Sequence, residues 1–252
     1  CSVTGLSVSR DNKMLAYGSD FVSRRRYTIN VLNLETGALL PDKIENTTGQ
    51  SVWAADGKTL FYVDRDVETL RAGKIFKHKL GSSENSLVYN EEDETYSVYL
   101  TETRSEKFIL INSSQTLATE VHYIESDKPD AAIKLFEPRK IDHEYSVDHL
   151  GNMFYIRTNI DSASNFKLMR AIEGKTASSN WTDLIPHRKD ILFENFELFG
   201  NYLVADERIK GLTNLRIIST IDNAEHYIDF GEETYRAGIS INPEPVSDIL
   251  RY

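Results

Sequence analysis

Hairpin-like segments recur about every 45 residues, and this period constrains the fold more than any other feature of the chain. Each segment has two short runs rich in β-branched and aromatic residues, separated by a turn containing Asp, Asn or Gly. Two more strand-like runs follow each of the first five hairpins, for example "LRIIST" and "EHYIDF" after the fifth. The hairpins begin near Leu6, Val52, Tyr96, Tyr145, Phe196 and Tyr235. A repeated four-stranded unit of this length is typical of a β-propeller blade.

The number of repeats predicts an all-β protein with five full blades and the opening hairpin of a sixth, about five and a half blades in all. A β-sandwich also has many short strands, but it does not return to one four-strand pattern five times. No segment rich in Pro, Gly or Ser separates the blades, so residues 1–252 are predicted to form one propeller domain. Val3 begins an inner strand without an earlier partner, and Tyr252 ends a strand within a blade. We therefore expect an incomplete propeller that belongs to a longer chain.

Composition limits the classes of partner. The formal net charge is −10 and the pI is about 5.2, which argues against binding to nucleic acid or to an anionic membrane. No apolar run approaches the length of about 20 residues that a membrane helix needs, and no signal peptide opens the chain. Cys1 is the only cysteine, so a reducing compartment and a cytoplasmic location are expected.

The stretch "HEYSVDHLGNMFYIRTN" places His143, Glu144, Asp148 and His149 within seven residues. The repeat assigns His143 and Glu144 to a connection between blades, and His149 to the turn of the next hairpin. Six extended residues separate the two histidines by about 20 Å, which is too far for one metal ion or one proton relay. We therefore predict structural roles for this stretch, no metal site and no cofactor.

The amino-acid sequences of the blades resemble those of a known protein family over nearly the whole chain. Segments in register include "VSRRRYTINVLNLETGALLPDKIENT", "VWAADGKTLFYV", "HEYSVDHLGNMFYIRTN" and "EHYIDFGEETY". They resemble the propeller of the prolyl oligopeptidase family of serine peptidases, in its oligopeptidase B (protease II) branch. The resemblance implies a seven-bladed propeller that caps an α/β-hydrolase domain of the same protein. It also implies cleavage of short basic peptides after Arg or Lys.

The chain departs from this family by omission. No Gly-x-Ser-x-Gly nucleophile motif occurs in its 252 residues. The catalytic residues are therefore expected beyond Tyr252, and the chain alone is expected to be inactive. The resemblance implies a non-catalytic role as a substrate-size filter and a gate between domains. The alternative is a stand-alone propeller that serves as a protein-interaction module.

Topology indicates which loops would meet a hydrolase domain. In a four-stranded blade, the loop between the second and third strands and the crossover to the next blade lie on one face, which we call the crossover face. Arg24 and Arg25 lie in such a loop and match paired arginines of the family. Their guanidinium groups suit carboxylates, so we predict that they contact substrate or the hydrolase domain, with His143 and Glu144 as further candidates. The alternative for the arginines is a solvated turn.

Overall fold

A computed structural model of the chain describes residues 1–247 and 249–252. Its regular structure is nearly all antiparallel β-strand, and one turn of 3-10 helix covers Ser178–Asn180. The first strands are β1 (Ser2–Val8), β2 (Met14–Asp20), β3 (Tyr27–Asn33), β4 (Leu39–Trp53), β5 (Thr59–Asp64), β6 (Lys74–Lys79), β7 (Asn85–Asn90), β8 (Ser97–Glu102), β9 (Phe108–Gln115), β10 (Ala118–Glu125) and β11 (Lys134–Glu137). The remaining strands are β12 (Tyr145–Leu150), β13 (Met153–Thr158), β14 (Lys167–Ile172), β15 (Thr182–Ile185), β16 (Ile191–Leu198), β17 (Tyr202–Ile209), β18 (Leu212–Ser219) and β19 (Glu225–Tyr227). The predicted all-β class is confirmed.

Contacts divide the chain into two compact units, Cys1–Ile141 and Asp142–Tyr252. That residues 1–252 form one domain stays a prediction. Within residues 1–247 and 249–252, no helix has the length and apolar character needed to cross a membrane.

The first unit contains three blades, and one strand is shared by two of them. Strands β1 to β7 form a single sheet in chain order, and β8 to β11 form a separate four-stranded sheet. The first part of β4 pairs with β3, with Ile44 opposite Ile29, and its last part pairs with β5, with Val52 opposite Phe61. The 15 residues of β4 are therefore the outer strand of the first blade and the inner strand of the second.

Three glycines allow β1 and β2 to approach β4 where it passes between these blades. A Cβ atom on Gly5 would lie 1.9 Å from the carbonyl oxygen of Gly49, and one on Gly18 would lie 2.5 Å from the Gly49 Cα. Gly49 itself has a φ of +85°, which side chains disfavour. Glycine is required here because backbone occupies the space of a side chain.

Strand β5 shows how stacked blades bury both faces of a sheet. Its Leu60 and Tyr62 belong to an apolar cluster with Trp53, whereas Phe61 and Val63 belong to a second cluster that includes Ile111 of β9. Successive strand residues point to opposite faces. The residues of β5 therefore alternate between facing the first blade and facing the third blade.

The second unit contains two four-stranded blades, β12 to β15 and β16 to β19. Leu168, Phe193 and Ala205 are part of the apolar cluster between them. The structure thus contains five four-stranded blades, as predicted. No strand is assigned to the described residues of 235–252, where the sixth hairpin was expected. The Ser240 N–H nevertheless donates to the Arg251 carbonyl at 3.0 Å, which joins the two predicted strand runs.

The crossover-face loops as a candidate functional site

The loop that carries the paired arginines is shaped by Asp20, at the end of β2. The Asp20 carboxylate accepts hydrogen bonds from the backbone N–H groups of Val22 at 2.9 Å and Arg25 at 2.7 Å. Burial tends to raise the pKa of Asp20, but these backbone donors outweigh it, and the pKa is lowered. Ser23 and Arg25 adopt positive φ values of 56° and 57°. The carboxylate therefore fixes the backbone of residues 21–26.

The arginine side chains remain available for a partner. Arg24 and Arg25 are exposed, and no carboxylate of residues 1–247 or 249–252 forms an ion pair with either of them. The nearby Arg65, in the loop from β5 to β6, has a pKa lowered first by burial and then by the positive charge of Arg25. Sequence reasoning did not find Arg65. Together these arginines form a positive patch on the crossover face of the first unit.

The acidic loop between β7 and β8 is only partly available to solvent. An acidic run such as Glu91 to Glu94 is usually a solvated loop or a surface that attracts basic peptides, but Glu91 is only 4% exposed. Its carboxylate accepts hydrogen bonds from Arg139 at 2.5 Å, Ser113 at 2.5 Å and Tyr89 at 2.9 Å. Glu91 is therefore a buried and paired carboxylate, which neither interpretation describes.

Arg139 connects this carboxylate to the crossover loop that follows β11. It also donates to Glu120 at 3.1 Å, and its guanidinium lies 4.0 Å from the centre of the Tyr96 ring. Burial tends to lower the pKa of Arg139, but the hydrogen bonds that Arg139 donates to Glu91 and Glu120 outweigh burial and raise it. The loops before β8 and after β11 are therefore held together by a partly buried ion-pair network around Glu91.

This network predicts a pH-dependent contribution to stability. Burial tends to raise the pKa of Glu91, but its hydrogen-bond donors lower the pKa from 4.5 to about 2. A lowered pKa in the folded state stabilises the protein above the unfolded-state value, and this stabilisation is lost as pH falls from about 4.5 towards about 2. We expect Glu91→Gln to be less stable than the wild type at pH 6 in urea unfolding, and the difference to shrink below pH 4.5.

The control for this experiment is Glu94→Gln, which changes an exposed carboxylate of the same loop. We expect it to leave the unfolding free energy nearly unchanged at each pH. A difference between wild type and Glu91→Gln that stays constant from pH 6 to about pH 2 would contradict the assignment.

His143 and Glu144 lie at the start of the second unit. His143 is 5% exposed, its Nε2 lies 3.0 Å from the Thr158 hydroxyl, and its ring stacks on Tyr145 with a centroid distance of 5.1 Å. The backbone N–H of Glu144 donates to the side-chain carbonyl of Asn159 at 2.9 Å. These contacts favour packing roles, and a substrate or inter-domain role for His143 and Glu144 stays a prediction.

His149 is a strand residue and not a turn residue as expected, because β12 continues to Leu150. It is fully buried, its Nε2 lies 2.9 Å from a Glu173 oxygen, and its ring centre lies 4.7 Å from that of Phe154. His143 and His149 thus have different partners. In the part of the chain that the structure describes, no three His, Cys, Asp or Glu side chains are arranged to hold a metal ion.

A second buried carboxylate, which sequence reasoning missed, organises the blade β16 to β19. Glu207 is 0% exposed and accepts hydrogen bonds from Arg216 at 2.6 Å, from the Tyr227 hydroxyl at 2.7 Å and from Arg188. Arg188 lies in the crossover loop "PHRKD" between β15 and β16. The charged crossover loops in both units therefore include arginines that bind buried glutamates, in addition to arginines that are exposed.

Comparisons with known proteins agree with this architecture. The family model described as "Prolyl oligopeptidase, N-terminal beta-propeller domain" matches residues 1–252. Dipeptidyl aminopeptidase BI of Pseudoxanthomonas mexicana is 42% identical over 253 residues, which cover 100% of this chain and 35% of that protein. Protease 2 of Moraxella lacunata is 29% identical, over 94% of this chain and 34% of its own length.

Solved structures show the same fold. Oligopeptidase B from Leishmania major superimposes with a TM-score of 0.88 at 27% identity, over 95% of this chain and 35% of that one. The closed form of oligopeptidase B from Trypanosoma brucei gives a TM-score of 0.90 at 23% identity, over 100% of this chain and 36% of that one. The chain therefore spans about a third of the length of the proteins it matches. By its sequence match and its blades, it belongs to the N-terminal β-propeller family of the prolyl oligopeptidases.

Proposed function

We propose that the chain is the non-catalytic propeller of a serine endopeptidase similar to oligopeptidase B, which cleaves short peptides after Arg or Lys. In this proposal the propeller limits substrate size and closes on an α/β-hydrolase domain of the same protein during turnover. The observation that carries the proposal is the family match over residues 1–252. Since these residues contain no Gly-x-Ser-x-Gly motif, we assign catalysis to the hydrolase domain. We expect the chain alone to hydrolyse no peptide. With Cys1 as the only cysteine, we also propose a cytoplasmic location.

The loop of residues 21–26 supports a contact with the hydrolase domain. Phe21 is 76% exposed and Val22 is 68% exposed, and only Ser23 separates them from the arginines. Adjacent exposed apolar and cationic side chains are typical of a surface that another protein covers. We propose that Arg24 and Arg25 bind carboxylates there, either on the hydrolase domain or at the C-terminus of a peptide substrate.

Replacement of both Arg24 and Arg25 by alanine in the intact parent enzyme tests this role. Shielded charge-assisted hydrogen bonds contribute about 1.5 to 3 kcal/mol, and solvated ion pairs about 0 to 1 kcal/mol. We therefore expect kcat/KM for short basic peptides to fall several-fold or more. The effect should be smaller at high salt, because salt screens exposed charges.

The reactivity of the catalytic serine towards a small phosphonate is the control for this experiment. The arginines take no part in bond making, so we expect the double variant to be labelled at the wild-type rate. Wild-type kcat/KM for peptides at low salt would show that Arg24 and Arg25 form a solvated turn, and would reject their proposed role.

A second candidate function follows from the relative with 42% identity, which is named a dipeptidyl aminopeptidase. The parent protein would then release dipeptides from the N-terminus of a peptide. Peptides with an acetylated N-terminus and an internal Arg or Lys distinguish the two activities. We expect the parent enzyme to cleave them after the basic residue. Cleavage of only the unblocked peptides, two residues at a time, would favour the second candidate.

A further inference from the structure

A cavity of about 470 Å³ lies between the two blades of the second unit. One wall comes from the blade β12 to β15 and includes Tyr155, Arg170 and Leu184. The other wall comes from the blade β16 to β19 and includes Arg216, Ile218 and Glu225. Small-ligand sites are typically concave, mostly apolar and supplied with a few polar groups that orient the ligand. The cavity has this composition, and it does not involve the loop of residues 21–26.

Arg170 supplies a positive charge to the cavity that no described carboxylate neutralises. It lies on β14, directly opposite Tyr155 of β13, and it is exposed. Among residues 1–247 and 249–252, no carboxylate lies within ion-pair distance of its guanidinium. Asp148 also lies opposite Tyr155, but its strand, β12, is two strands away from β14, a backbone separation of about 10 Å.

Arg216, on the opposite wall, lacks one hydrogen-bond acceptor. Its side chain is 10% exposed, and its terminal nitrogens lie 2.6 Å from Glu207 and 3.2 Å from Glu225. Its buried Nε–H, however, has no acceptor among the described residues. Buried donors are nearly always paired in folded proteins. A ligand oxygen that reached this Nε–H from the cavity would satisfy Arg216.

The charges around the cavity favour an anion. Arg188 and Arg216 both bind Glu207, and Arg216 also binds Glu225. The two positive charges therefore balance the two negative charges. The remaining charge of the cavity is that of Arg170. Guanidinium groups bind carboxylates with two well-defined hydrogen bonds, which suits a ligand that carries one carboxylate.

We propose that this cavity binds a small organic carboxylate with an apolar body. The carboxylate lies between Arg170 and Arg216, and the apolar body contacts Leu184 and Ile218. The proposal does not rest on the peptidase function argued above, because it uses only the side chains and the charges of the second unit.

Titration of the 252-residue chain with N-acetyl-leucine tests the proposal, with N-acetyl-leucinamide as the uncharged probe of nearly equal size. The readout is the ¹⁵N–¹H spectrum of the arginine Nε–H groups, with Arg216 assigned. We expect millimolar affinity for the acid, as is usual for a ligand of this size, with a shift of the Arg216 signal. Loss of the charge-assisted hydrogen bonds should weaken binding of the amide about tenfold or more.

Arg170→Gln is expected to weaken binding of the acid about tenfold, and Arg170→Lys to retain part of it. Because Arg170 is exposed, both variants should keep the wild-type circular dichroism spectrum. Arg236→Gln removes an exposed arginine of the same unit that does not line the cavity, and we expect it to bind like the wild type. Equal binding of acid and amide, wild-type binding by Arg170→Gln, or no binding at about 10 mM would each overturn the proposal.

Discussion

Replacement of Gly18 by alanine is expected to lower the free energy of unfolding by about 3 kcal/mol, near the upper end of the usual cost of overpacking. A Cβ atom at this position would lie 2.5 Å from the Cα of Gly49 and 3.1 Å from its carbonyl oxygen. Both atoms belong to the backbone of β4, which cannot move away without breaking its pairing with β3 or β5. The cost should therefore be larger than for a clash with a flexible side chain.

Urea unfolding of Gly18→Ala measures this cost, and Gly238→Ala provides the matched control. A Cβ atom on Gly238 would meet no heavy atom within 4 Å, and Gly238 does not have a positive φ. We expect Gly238→Ala to be neutral or slightly stabilising, because alanine reduces the entropy of the unfolded chain. Similar stability of the two variants would show that the contact between β2 and β4 relaxes without cost.

The blades could be predicted from the sequence because their strands are consecutive and their turns are short. The shared strand β4 could not, because "PDKIENTTGQ" is polar and looks like a connection between blades. Asn46 and Gly49 also have positive φ values of 55° and 85°, yet pairing with β3 and then β5 continues across them. Gly5 and Gly18 contact Gly49 from other strands, and no local pattern relates residues this far apart.

The exposure of the candidate loop was predictable because its signal is local. The adjacent charges of Arg24 and Arg25 indicated an exposed loop, and the structure places both arginines on the surface. The acidic run that begins at Glu91 has the pattern of a solvated loop, and Arg139, the partner of Glu91, lies 48 residues further along the chain. Long-range ion pairs of this kind leave no periodic signal in one sequence.

Glu207 did leave a local signal that was missed. Leu203 and Ala205 belong to the apolar cluster of the second unit, and Glu207 is the next residue on the same face of β17 because strand side chains alternate. A glutamate at an apolar position is almost always paired when it is buried. The alternation of β17 therefore indicated a buried charge, although it could not identify Arg188 and Arg216 as its partners.

Glu207→Ala is accordingly expected to destabilise the chain strongly. The change leaves Arg188 and Arg216 without the carboxylate they share and removes the acceptor of the Tyr227 hydroxyl. Removing one member of a buried ion pair typically costs about 3 to 5 kcal/mol, because the remaining charge stays buried without compensation. We expect a loss in this range in urea unfolding, with an unchanged dependence on denaturant concentration if the native fold is retained.

Glu194→Ala is the control for Glu207→Ala, because it removes an exposed Glu–Arg pair of the same blade instead of a buried one. Glu194 binds Arg208 through two hydrogen bonds of 2.8 and 3.0 Å, but the pair is largely exposed to solvent. Exposed pairs typically contribute about 0.2 to 1 kcal/mol, so we expect this variant to lose less than about 1 kcal/mol, and less still at high salt. If Glu207→Ala were no more destabilising than Glu194→Ala, the buried network around Glu207 would contribute no more than a surface ion pair.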